Sequence, residues 1–80
     1  MQDRPTNLWT LKHLGKEVAC FVRLAAHGIE VDIAHNGTVI LTRVFETDVE
    51  ALAWASEKRL ARLSQGWRAV DAGTAPERVS

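Results

Sequence analysis

The stretch IEVDIAHNGTVILTRVF, residues 29–45, decides the fold. Two strand-like runs flank Asn36-Gly37, a pair that tolerates the positive φ a two-residue type I′ turn requires. The first run, Ile29 to His35, alternates apolar with polar residues, as a strand with one buried face does. The second, TVILTRVF over 38–45, is apolar at nearly every position. A hairpin with one strand apolar on both faces needs a second apolar environment, and that need is the main functional lead in the chain.

Outward from this hairpin, Gly28 in AAHGIE and Gly15 in HLGKE punctuate two further strand-like runs, giving four at about 8–14, 17–26, 29–35 and 38–45. After Phe45 the apolar period lengthens to that of a helix. In ETDVEALAWASEKRLARLSQGW, residues 46–67, Thr47 stands as N-cap with Glu50 three positions on, and Asp48 suits the positive helix start. Gly66 fits a left-handed helix end, with Trp67 packing beyond it. Val49, Leu52, Ala53, Ser56, Leu60 and Leu63 share one stripe, expected to cover the sheet. The pattern predicts an α+β fold, β-β-β-β-α: a four-stranded antiparallel β-meander followed by one C-terminal α-helix packed on one face. Residues 1–7, with Pro5, read as a flexible lead-in, 8–67 as a single domain, and 68–80, with Gly73 and Pro76, as a disordered tail.

Two-residue turns at Leu14-Gly15, His27-Gly28 and Asn36-Gly37 set the expected register. They place Leu11 opposite Val18, Trp9 opposite Cys20, Val22 opposite Ile33, Val31 opposite Thr42 and Ile33 opposite Ile40, all on one face. On the other face the same turns oppose Lys12 to Glu17, Arg23 to Asp32 and Glu30 to Arg43, three pairs of opposite charge that mark the register. Strand four then points Ile40, Thr42 and Val44 inward and Val39, Leu41, Arg43 and Phe45 outward.

Composition narrows the function. Eighty residues make one small domain, and a chain of this size buries only about 60% of its unfolded surface. Ten basic and ten acidic side chains cancel, which removes the general attraction to nucleic acid or an anionic membrane. Cys20 is the sole cysteine and has no internal disulfide partner. No apolar run approaches spanning length, so a soluble, cytoplasmic protein with no membrane partner is expected.

Candidate functional residues follow from the faces. Leu8, Phe21, Ala34 and Val39 form an outer row, with Leu41 and Phe45 nearby, on a sheet whose last strand is an unblocked apolar edge. Trp54 lies off the helix stripe beside Ala51, Lys58 and Ala61, where an indole suits a contact surface. Val39, Leu41, Phe45, Leu8, Phe21 and Trp54 therefore form the expected interface of a non-enzymatic interaction module, whose partner is a second copy or another small protein. An alternative is single-stranded nucleic acid, stacked on Phe21 and held by Arg23 and Arg43, although Glu30 and Asp32 face the same arginines. Small single-strand-binding folds of β-β-β-β-α order are similar in element order alone. Cys20 and His35, expected neighbours, could make a nucleophile and base, but a buried cysteine is more often a small hydrophobe. Lys58, Arg59 and Arg62 near the helix end complement its dipole. No catalytic residue, cofactor or metal ligand set is expected.

The core from Leu8 to Trp67 resembles a set of short bacterial proteins of unknown function. The likeness lies in the WTL opening at 9–11, the glycine-turned sheet, the acid-started helix with EKR at 57–59 and the closing GW at 66–67. It implies one compact domain and no particular activity.

Overall fold

The computed structural model describes residues 5–70. Four strands, β1 (Thr6–His13), β2 (Lys16–Ala25), β3 (Gly28–His35) and β4 (Thr38–Phe45), precede one helix, α1 (Asp48–Leu63), and a two-residue strand, β5 (Arg68–Ala69). The sheet order is β4-β3-β2-β1-β5 with antiparallel neighbours throughout. This is an α+β meander followed by a C-terminal helix on one face, as the pattern predicts.

Two domain boundaries differ from the sequence reading. Strand β1 begins at Thr6, inside the expected lead-in, whose residues 1–4 lie outside the described residues. Arg68 and Ala69, assigned to the tail, form β5 against Lys12 and Leu11, while 71–80 lie outside the described residues. The helix end explains β5. Gly66, at φ 100°, donates its N–H to Leu63 O at 3.2 Å, and Trp67 donates to Arg62 O at 3.1 Å. This paired closure reverses the chain. Val70 N–H then reaches Thr10 O at 2.8 Å and ties the end to β1.

Turn chemistry sets most of the register. Leu14 and Gly15 (φ 50° and 79°) and Asn36 and Gly37 (φ 51° and 87°) are both left-handed pairs, the geometry a tight hairpin needs. Leu11 opposite Val18, Trp9 opposite Cys20 and Lys12 opposite Glu17 stand as expected. The β2–β3 turn falls on Ala26-His27 instead of His27-Gly28, so Cys20 faces Ile33, Val22 faces Val31 and Arg23 faces Glu30. A two-residue slip keeps every side chain on its face. Gly28 sits inside β3 because the chain passes close there: a Cβ would lie 2.7 Å from the Phe45 carbonyl oxygen.

Two irregularities change faces. The β1–β2 register shifts between Asn7 and Trp9, and Leu8, the extra residue, packs against the core. The β3–β4 register shifts at Ile40: Ala34 faces Val39, but Ile33 faces Leu41, Asp32 faces Thr42 and Val31 faces Arg43. One inserted residue inverts everything beyond it. Leu41, Arg43 and Phe45 therefore point to the helix side, and Thr42 and Val44 to the outer side, the reverse of the expected assignment.

The core gathers Val18, Cys20, Val31 and Ile33 from the sheet and Ala51 and Ala55 from α1, flanked by Trp9, Val22, Ile29, Phe45, Trp54 and Trp67. The helix is thus rotated from the predicted stripe: Val49, Leu52 and Leu60 stay exposed at 74%, 49% and 57%. Two alanines let the helix approach the sheet closely, and the indoles fill its flanks. Trp9 Nε1–H donates to Ala55 O at 3.1 Å and fixes that rotation.

Candidate functional site

The sheet has two edges, and they differ. Strand β5 lies along β1, whereas nothing among the described residues pairs with the outer side of β4. Eight consecutive β4 residues carry one charge, Arg43, and no proline or lysine. Val39, Ile40, Leu41 and Val44 are each about half exposed. Free backbone groups beside apolar side chains form a template for another strand, which proteins ordinarily block.

The expected interface residues are dispersed around this edge. Val39 is outward and exposed, next to Ala34 and Ala19. Phe21 is also outward and half-buried, opposite Asp32. Leu41 and Phe45 belong to the helix side through the Ile40 bulge, and Leu8 packs on the core. Trp54 is half-buried, its ring centroid 5.6 Å from that of Phe45. Leu8, Phe21, Ala34 and Val39 therefore do not form the expected single outer row.

A polar network occupies the outer face instead. Arg23 pairs with Glu30 and lies 3.6 Å from Asp32 Oδ2; His27 Nε2 is 2.7 Å from Glu30 Oε2; Thr42 donates its hydroxyl to Asp32 Oδ1 at 2.7 Å. Asp32 is buried, so these partners offset its desolvation.

On the helix side, β4 and α1 enclose a shallow open groove. Phe45 and Trp54 line it with Arg43, whose guanidinium carbon is 5.5 Å and 5.9 Å from the two ring centroids. Lys58 Nζ sits 5.2 Å from the Trp54 centroid. Cations over aromatic faces gain from the ring quadrupole, more so where partly desolvated. Glu46, Glu50 and Glu57 also line the groove, and none has a cation within 4.0 Å among the described residues.

The nucleic-acid set does not share a surface. Phe21 and Arg23 are outward, Arg43 is on the helix side, and Arg23 is held by two carboxylates. The register also separates Cys20 from His35, which stands opposite Val18. Cys20 is fully buried, and burial, with Asp32 nearby, pushes its thiol up to about 12. A thiol in that environment is a poor nucleophile at neutral pH. Among the described residues no three His, Cys, Asp or Glu side chains cluster in a way that could hold a metal ion.

The apolar edge was visible in the sequence as TVILTRVF; of the groove beside it, only Trp54 with Lys58, one helical turn apart, was visible, and its pairing with Phe45 and Arg43 was not. No protein-family model matches the chain, and neither does any curated protein or solved structure. No described helix is long and apolar enough to cross a membrane.

Proposed function

We propose that this chain is a small non-enzymatic interaction module of the cytoplasm that associates with a second copy of itself through the free edge of β4. One observation carries this: the edge, unpaired among the described residues, exposes Val39, Ile40, Leu41 and Val44 together with its backbone hydrogen-bonding groups. The sequence also assigned the outer sheet face to this contact. The polar network around Asp32 favours the edge over that face as the centre of the proposed association.

Magnitudes set the expected strength. A strand added at the edge covers one flank of each of the four half-exposed side chains, and burying about half of what is exposed stabilises the pair by roughly 4 kcal/mol in total. Strand-to-strand hydrogen bonds add about 0.5–1.5 kcal/mol each. Lost translational and rotational freedom costs at least about 4 kcal/mol. The balance corresponds to a dimer in the micromolar range.

Sedimentation equilibrium from about 1 to 500 µM brackets that range. Wild type should move from 8.9 kDa toward twice that mass. Leu41→Lys should stay monomeric with an unchanged far-ultraviolet spectrum. A variant as dimeric as wild type, or a wild type monomeric throughout, contradicts the proposal.

A further inference from the structure

We infer that the outward stripe of α1 docks a basic amphipathic helix of another protein, laid along it as in a coiled coil. This surface is separate from the β4 edge and does not rest on self-association.

A surface helix ordinarily turns its most apolar stripe to the core. Here two alanines, Ala51 and Ala55, face the sheet, while Val49, Leu52 and Leu60 are exposed. Val49, Ala53, Ser56, Leu60 and Leu63 recur at steps of four, three, four and three. That is the spacing of a coiled-coil seam, and it extends about 21 Å along the helix axis. Small Ala53 and Ser56 between larger Val49 and Leu60 leave holes that a partner's aliphatic side chains can enter. The stripe therefore suits a helix with apolar anchors at the same spacing.

Charge sets the partner's chemistry. Glu50 and Glu57 each follow a seam position, on the β4 side, where a coiled coil pairs flanking charges between helices. With Glu46 they line the groove that Ala53 and Leu60 also line, and none of the three has a cation within 4.0 Å among the described residues. Arg43 and Lys58 sit over the Phe45 and Trp54 rings instead. Half-buried Arg59 borders the opposite side of the stripe with Leu52. A second copy of α1 supplies no cation to the acidic flank. Antiparallel, the flank of Glu50 and Glu57 meets the same flank of its copy; parallel and in register, Glu57 meets Leu52 and Arg59 meets Ser64. A helix with lysine or arginine along one side of its apolar stripe pairs with both carboxylates.

Titration of the full chain with a synthetic peptide tests this. The peptide has three heptads, with leucine at both seam positions, lysine along one flank and glutamine along the other. A second peptide carries glutamine on both flanks. Followed by amide proton–nitrogen shifts, the lysine peptide should move Val49, Ala53 and Leu60 and leave Ala19 and Phe21, on the outer face, in place. Leu60→Ser, at an exposed position, should keep the fold and weaken binding about tenfold. Glu50→Gln combined with Glu57→Gln should weaken the lysine peptide about fivefold and leave the glutamine peptide unaffected. Equal affinity of the lysine peptide for wild type and the double variant overturns the inference, as does a failure of wild type to bind it. Shifts at Val49 and Leu60 on dilution of the protein alone would show that a second copy covers the stripe, which also overturns it.

Discussion

Thr42 donates its hydroxyl hydrogen to Asp32 Oδ1 at 2.7 Å across the β3–β4 pair. That bond belongs to a strand one residue out of step with its own turn. Had the two-residue register from Asn36-Gly37 continued, Thr42 would face Val31 in the apolar interior. The Ile40 bulge moves the hydroxyl to the outer face and gives buried Asp32 a neutral donor besides Arg23. It also places Leu41, Arg43 and Phe45 on the helix side, where the groove forms.

Replacing Thr42 with Val keeps the shape of the side chain and deletes the donor. A buried carboxylate that loses one partner costs about 1–3 kcal/mol. Urea unfolding at fixed protein concentration should show a lower midpoint at unchanged slope, and Thr42→Ser should recover most of the loss. An unchanged midpoint for Val would mean that the bond contributes nothing.

Leu14 is a leucine at φ 50° and is 85% exposed. The left-handed region costs an ordinary L-residue about 1–2 kcal/mol, and asparagine much less. Leu14→Asn should therefore raise stability by about 0.5–1 kcal/mol, read as a higher melting temperature. A lower one would show that Leu14 makes a contact worth more than its strain.

Gly28 is the opposite case. At φ 144°, with the Phe45 carbonyl oxygen 2.7 Å and Val44 Cγ1 3.0 Å from an added Cβ, Gly28→Ala must displace β4 backbone. Backbone strain and overpacking each cost about 1–3 kcal/mol. The variant should unfold at markedly lower urea, and stability within 0.5 kcal/mol of wild type would contradict the close approach.

Cys20 should be protected in the native state. Its thiol is held protonated in the fold, up to about 12 against 9.0 for an unperturbed group. The neutral form is favoured by folding, so this contribution to stability is complete below pH 9 and is lost as pH rises from 9 toward 12. A thiol reagent at pH 7.5 should label Cys20 only at the rate of global unfolding, and urea midpoints should fall above pH 9. Rapid labelling of folded protein would show that the side chain is accessible.

Local chemistry was legible in the sequence. Asn36-Gly37 and Leu14-Gly15 form the expected turns, Thr47 accepts the Glu50 N–H at 3.2 Å, and Gly66 ends the helix. What was not legible depends on contacts distant in sequence. The helix carries two candidate faces, and hydropathy favours Val49, Leu52 and Leu60; the alanine face is inward because Trp9, from β1, bonds to Ala55 O. Gly28 resembles a turn glycine but is required by Phe45, seventeen positions on. The bulge had no signal of its own, because TVILTRVF is apolar in both phases and a one-residue shift leaves either phase plausible. The apolar edge could therefore be located from sequence, but not which of its residues faces which side.

The central claim is that the β4 edge binds a second copy. Sedimentation equilibrium of wild type and Leu41→Lys, in parallel over micromolar concentrations, tests it most directly. The account predicts a concentration-dependent dimer for wild type and a folded monomer at 8.9 kDa for the variant. A wild-type protein that stays at 8.9 kDa at every concentration would contradict it.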